Sequence, residues 1–227
     1  MQEPLLWRDE GIIHVGAEAE VRVGSWLGLD AVRKIRRPRG WRHPDLDRML
    51  TLQRMEAEYR SLVRLSNTGI RIPSILHLDR NEMILTMTRV EGTPLIEHLR
   101  NGAASSEDLL RVGAVIRRLH RAGIVHGDLS TNNILWSEEA EPALIDLGLS
   151  SSTTEVERFG IDLHVLEEIL GASHPEHEDG MVKVEEGYLA VDESEGPPVD
   201  HGAGALPSAA EVVRRLEEIR TRVRYHG

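Results

Sequence analysis

The chain has 227 residues, 27 basic against 38 acidic side chains, a net charge of −11 and no cysteine. That length carries one two-lobed domain or two small ones, and the missing thiols exclude disulfides, thiolate catalysis and cysteine-bound zinc, in keeping with a reducing, cytosolic setting. The acidic balance and only 8 Phe, Trp and Tyr exclude a chain that coats nucleic acid by charge or base stacking, and no apolar run reaches the roughly 20 residues of a membrane span, so a soluble, cytoplasmic protein without a membrane partner is expected.

From Gly11 to Val32, short runs of β-branched residues broken by glycines predict a meander of strands. Residues 32–42, VRKIRRPRGWR, carry six positive charges and no negative one. An amphipathic helix follows over Asp45–Leu65, with Met49, Leu52, Met55, Tyr59, Leu62, Val63 and Leu65 on its apolar side and Asn67-Thr68-Gly69 as its stop. Strands are expected at Ser74–His77 and Met83–Val90, the second closed by the turn residues Glu91-Gly92-Thr93-Pro94.

Ser105 and Ser106 followed by Glu107 and Asp108 predict a capped helix start, and Leu109, Val112, Ile116 and Leu119 its buried stripe up to Gly123. Three brief strands at 124–125, 134–136 and 143–145 alternate with polar loops, and a further helix is expected over Glu155–Leu170. Between Ala172 and His201 lie nine acidic residues and one Lys. The part 192–206, with Pro197-Pro198 and glycines, reads as a mobile acidic loop, and a basic helix over 208–224 closes the chain.

The chemistry concentrates in His126-Gly127-Asp128-Leu129-Ser130-Thr131-Asn132-Asn133, followed thirteen residues after Asn133 by Asp146 in Ile145-Asp146-Leu147-Gly148. Two carboxylates and an amide at strand ends supply what phosphoryl transfer needs: a base at the accepting hydroxyl, and oxygen ligands for Mg²⁺ on nucleotide phosphates. The spacing matches the protein-kinase catalytic loop and metal motif. Such a site calls for an upstream strand lysine held by a helix glutamate. Of 27 basic residues only Lys34 and Lys183 are lysine, so Lys34 marks a position that wants a compact ammonium rather than a guanidinium. Its partner is Glu58 or Glu56, with Glu58 preferred because Met55, Tyr59 and Leu62 flank it. The phosphate-covering loop departs from the kinase pattern, offering Gly16-Ala17-Glu18-Ala19 with one glycine.

Taken together, GAEAEV, VRKIRRPRGWRHPDLD, HGDLSTNN, IDLGLS, FGIDLHVLEEIL and the final RRLEEIRTR resemble the small atypical kinase subunit of the KEOPS complex, which works in threonylcarbamoyladenosine modification of tRNA. The resemblance implies an α+β, protein-kinase-like fold: an N-lobe of antiparallel sheet plus one helix over about 1–90, and a reduced, mostly helical C-lobe over 91–227. It implies Ser/Thr kinase or ATPase activity with ATP and Mg²⁺ as cofactors. Asp128 would be the catalytic aspartate and Asn133 and Asp146 the metal ligands. Gly16, Ala17, Glu18, Ala19, Lys34 and Glu58 would hold the nucleotide, and Asp162 would brace the catalytic loop. The implied partners are the threonylcarbamoyl-transferase subunit and other KEOPS subunits, with tRNA contacted weakly or indirectly.

Only sixteen residues run from Asp146 to Asp162, without an Ala-Pro-Glu motif, and 81 residues follow Asp146. A peptide-docking segment and the large substrate half of small-molecule kinases both lack room, which leaves an acceptor supplied by a partner. Ser150, Ser151, Ser152, Thr153 and Thr154 are equally readable as autophosphorylation acceptors or as a polar loop. The alternatives are a small-molecule phosphotransferase of aminoglycoside or choline kinase type, and a pseudokinase scaffold. His174, His177 and Glu178 lack a further ligand at metal-site spacing and read as solvated surface. Positive charge at residues 33–42 and on the closing helix, Arg220 onward included, is expected to serve partner or tRNA contact.

Overall fold

The β-branched, glycine-punctuated start of the chain forms β1 (Trp7–Val15), β2 (Ala19–Trp26) and β3 (Leu29–Arg36) of an antiparallel sheet that β5 (Ile84–Thr88) and β4 (Ile75–Asp79) extend in the order β1-β2-β3-β5-β4. The computed structural model describes residues 6–16, 19–102, 104–198 and 204–226, with side chains through Arg222. It divides into two compact units, one of residues 1–66 and 72–90, the other of residues 67–71 and 91–227.

In the first unit, β2 and β3 pair from Ala19↔Arg36 to Trp26↔Leu29, leaving Leu27 and Gly28 as a two-residue turn with φ of 51° and 85°. Two positive φ values give a turn whose twist matches the flanking strands. Helix α1 (Pro44–Leu65) starts on Pro44, whose missing N–H no helix needs there, with Asp45 and Asp47 in its first turn. Its buried side chains are Asp47, Met55, Glu58, Ser61, Leu62 and Leu65. Met49 and Val63, expected on the buried side, are about half exposed, so the apolar stripe is narrower than its sequence.

The second unit holds β6 (Thr93–Pro94), α2 (Leu95–Arg100), α3 (Ser106–Arg121), β7 (Ile124–Val125), β8 (Ile134–Trp136), β9 (Ala143–Leu144), a 3₁₀ turn at Leu147–Leu149, β10 (Ser151–Ser152), α4 (Val156–Ser173), α5 (Gly180–Glu195) and α6 (Ala209–His226). The strands form two small sheets, β6-β8-β9 and β10-β7. A reciprocal cap starts α3: Asp108 N donates to Ser105 Oγ and Ser105 N to Asp108 Oδ2. The antiparallel sheet plus helix of the first unit and the helical second unit are the α+β, protein-kinase-like architecture expected from the sequence.

Helix α5 is the main departure. The acidic stretch that contains it hides a buried stripe of Met181, Val184, Tyr188 and Val191, spaced three and four apart. The loop expected from Asp192 therefore begins only at Gly196 (φ 76°), because Asp192 to Glu195 complete the helix; residues 199–203 of that loop lie outside the described residues. Helix α2, six residues long, is too short for its periodicity to register.

Two glycines let α3 and α5 touch backbone to backbone. A methyl group on Gly113 would stand 1.9 Å from Val184 O, and one on Gly187 would stand 1.9 Å from Leu110 O. Both obstacles are main chain, which cannot rotate aside. Gly113→Ala is therefore expected to destabilise the protein by about 1–3 kcal/mol through overpacking, although alanine is the better helix former; urea unfolding of the variant checks this, and Gly171→Ala, with no neighbour within 4 Å, is the control.

Candidate active site

In the first unit, Lys34 and Arg36 stand two residues apart on β3 and so share a face. Lys34 Nζ donates to both Glu58 oxygens at 3.0 Å, and Arg36 Nη2 donates to Glu58 Oε2 at 2.6 Å. All three are buried, with 7%, 6% and 1% exposure for Lys34, Arg36 and Glu58. Glu56 instead takes Arg80 at 2.6 Å on the outside of the helix. One carboxylate thus faces two cations, and these three side chains carry a net charge of +1. Arg36 was missed in the sequence because it sat in a run of six positive charges; the period of two from Lys34 was the available signal.

Of the glycine loop, Gly16 N donates to Ala19 O at 2.9 Å, and Ala19 is buried opposite Arg36. Ala17 and Glu18 lie outside the described residues. Glu20, next along, collects Arg22 at 2.7 Å and also Arg37.

In the second unit, β7 delivers the chain into His126-Gly127-Asp128. Gly127 has φ 79°, and a methyl group there would stand 2.2 Å from Leu149 O, so only glycine fits. Asp162, on α4, takes both leading amides: His126 N donates to Oδ2 at 2.6 Å and Gly127 N to Oδ1 at 2.9 Å. His126 Nε2 donates to Ile145 O at 3.0 Å. These bonds fix the chain that leads into Asp128.

Asn133 Nδ2 donates to Asp128 O at 2.8 Å and to Asp128 Oδ2 at 3.2 Å, which turns its amide oxygen the other way. Ile145 N donates to Asn133 O at 3.0 Å, bringing the residue before Asp146 alongside Asn133. Asp146 itself is left-handed, with φ 57° and ψ 60°. Aspartate tolerates this region better than most residues, yet it is uncommon and clusters where function demands it. An amide oxygen and a carboxylate are the donors a hard divalent cation takes, and Mg²⁺ completes its shell with water and substrate phosphates rather than a protein cage. Among the described residues no group of three or more His, Asp or Glu could hold a metal by itself. His174, expected at the surface, is buried.

Behind the loop, His120 Nε2 lies 3.2 Å from Asp162 Oδ2 and His120 Nδ1 2.8 Å from the Tyr188 hydroxyl. Burial pushes the His120 imidazole below its ordinary value, against the opposing pull of Asp162. Burial alone would raise the Asp162 carboxyl, but the His120 hydrogen bond and the His126 amide hold it below the usual range. Sequence reading found Asp162 and missed His120 and Tyr188, since only the fold brings them there.

The fold and these two clusters define the protein-kinase-like class. A family model described as the RIO domain matches residues 34–160. The EKC/KEOPS complex subunit BUD32 of Gibberella zeae is 30% identical, over 94% of this chain and 85% of its own length. A probable bifunctional tRNA threonylcarbamoyladenosine biosynthesis protein of Methanothermobacter thermautotrophicus is 31% identical over 94% of this chain, which spans 36% of that longer protein. A crystal structure of the Rio2 kinase from Chaetomium thermophilum, as an ADP/Mg²⁺-phosphoaspartate complex, shares the fold with a TM-score of 0.57 at 17% identity, covering 96% of this chain and 72% of its own. The chain belongs to the RIO-domain family of atypical kinases, in the branch represented by BUD32.

Two expectations follow. Glu58→Ala strips both buried cations of this carboxylate and should destabilise the protein by about 3–5 kcal/mol, whereas Glu56→Ala should cost at most about 1 kcal/mol; denaturant midpoints compare them. Stability should also fall on acidification. His120 is neutral in the fold, so below about pH 6.5 the unfolded chain binds a proton that the folded one refuses. The Asp162 contribution, present above its ordinary value, is lost later, as pH falls through its lowered one. Each proton accounts for at most about 1.4 kcal/mol per pH unit, and His120→Gln should flatten the profile between pH 7 and 5.

Proposed function

We propose that the chain is an ATP-dependent Ser/Thr protein kinase or ATPase that works with Mg²⁺ as a subunit of a KEOPS complex, supporting threonylcarbamoyladenosine modification of tRNA. The observation that carries the reading is the Asp128–Asn133–Asp146 arrangement: Asn133 locked through its nitrogen onto Asp128, with Asp146 held left-handed beside it. In this reading Asp128 is the base at the accepting hydroxyl, Asn133 and Asp146 hold the metal, and Lys34, oriented by Glu58, meets the phosphates. Gly16 to Ala19 cover the nucleotide.

The nine residues between Asp146 and α4 hold a 3₁₀ turn and the two-residue β10, which supports an acceptor brought by a partner rather than a docked peptide. The same shortage of chain counts against a small-molecule phosphotransferase, and the complete set of acidic, amide and lysine groups counts against a pseudokinase. The names of the relatives support the transferase subunit of the complex as partner, with tRNA secondary. Among the described residues no helix is long and apolar enough to cross a membrane.

Of the two expected basic surfaces, one is largely taken up by ion pairs within the protein. In α6, Arg220 is bound to Glu167 and Glu185, and Arg222 to Glu157, so these charges tie helices together. The loop after β3 is more open: Trp41 is 75% exposed and carries the Arg42 and Arg39 guanidiniums 4.6 Å and 5.7 Å from its ring. The better candidate for a partner or tRNA contact is therefore this loop.

Phosphate release with and without the transferase subunit tests the proposal. Asp146→Asn should abolish most turnover. Asp128→Ala should lower the rate by about 10²- to 10⁴-fold while nucleotide affinity holds, because a base acts in the transition state. Unchanged turnover in Asp146→Asn would remove the metal assignment.

A further inference from the structure

The acidic stretch contributes α5, and through His120 and Asp162 this helix is linked to the loop that carries Asp128. Asp192, near its end, is the anchor: Oδ1 accepts from Arg117 Nε at 2.8 Å and Arg121 Nη1 at 2.9 Å, and Oδ2 from Arg117 Nη2 at 2.7 Å and Ala209 N at 2.7 Å. Arg117 is almost wholly buried. Its Nη2 also donates to Pro207 O at 3.0 Å, and its Nη1 to the Tyr188 hydroxyl at 3.3 Å.

From there the direction of every hydrogen bond is fixed. A guanidinium only donates, so the Tyr188 oxygen accepts from Arg117 and its own proton goes to His120 Nδ1. His120 Nδ1 is then the acceptor, which places the ring proton on Nε2, where the Asp162 carboxylate requires a donor. Asp162 in turn accepts from the His126 and Gly127 amides. The groups facing His120 agree with this neutral tautomer: Tyr188 on α5, Asp162 and the Phe159 ring on α4, Arg117 on its own helix and His126 on the loop. Chains of hydrogen bonds aligned in one direction reinforce each other in a low-dielectric interior.

We infer that Tyr188, Arg117 and Asp192 are positioning residues for the catalytic loop, acting through the single ring tautomer they impose on His120 and hence through the orientation of the Asp162 carboxylate. The inference rests on the proposed phosphoryl chemistry for its kinetic consequence alone. Without the Tyr188 hydroxyl, nothing holds the Nδ1 side of the ring, so the imidazole can tilt away from Asp162 and carry its proton on Nδ1 for part of the time despite the pull of the carboxylate, and the carboxylate loses its fixed register under the loop. A loop misplaced by a fraction of an ångström retains nucleotide but reacts slowly.

The test is Tyr188→Phe in the full chain, which keeps the ring and removes one oxygen. Nitrogen-15 spectra of the imidazoles should show His120 protonated at Nε2 in the parent and mixed between nitrogens in the variant. Amide exchange at Gly127 should accelerate by about tenfold, and kcat for phosphate release should fall by about tenfold with KM for ATP unchanged. Asp192→Asn should move the same three readouts in the same direction by less. A parent His120 protonated at Nδ1, or a variant with lowered melting temperature but unaltered kcat and Gly127 exchange, would overturn the inference and leave Tyr188 a packing residue. If the parent shows no turnover, the phosphoryl reading fails, while tautomer and exchange still decide whether the relay exists.

Discussion

The second unit is organised around a single carboxylate. Asp162 accepts two consecutive main-chain amides, of His126 and Gly127, and those amides have no strand or helix to bond to because β7 ends one residue earlier. An unpaired buried amide costs as much as a lost hydrogen bond, so the loop conformation and the position of α4 are set together. Gly127 completes the constraint, since any side chain would meet Leu149. That junction fixes the residues that lead into Asp128, Asn133 is then tied to Asp128 by its own side-chain bonds, and His120 on α3 holds the carboxylate below its ordinary range.

The first unit solves a different electrostatic problem. Burying one carboxylate against two cations offsets the desolvation of Glu58 more fully than one partner could.

What the sequence revealed and what it hid divide on physical lines. Helices α1, α3 and α4 were legible, α3 with its capping box as well, as was the spacing of Asp128, Asn133 and Asp146, because local chemistry encodes them. The pairing of Lys34 with Glu58 was readable from which helix residues flank an apolar stripe. Helix α5 was hidden by its charge, although Met181, Val184, Tyr188 and Val191 held the signal. The roles of His120, Tyr188 and Arg220 were not legible at all: each depends on helices far apart in the chain, and Arg220, taken for a surface charge, is the tie among α4, α5 and α6.

The central claim is that a pair of oxygen donors, Asn133 and Asp146, makes nucleotide binding depend on a divalent cation. Calorimetric titration of the full chain with ATP, in Mg²⁺ and again in EDTA, tests it most directly. Binding in Mg²⁺ that weakens strongly in EDTA is the result the account predicts; equal affinity in both, or no binding in either, would contradict it.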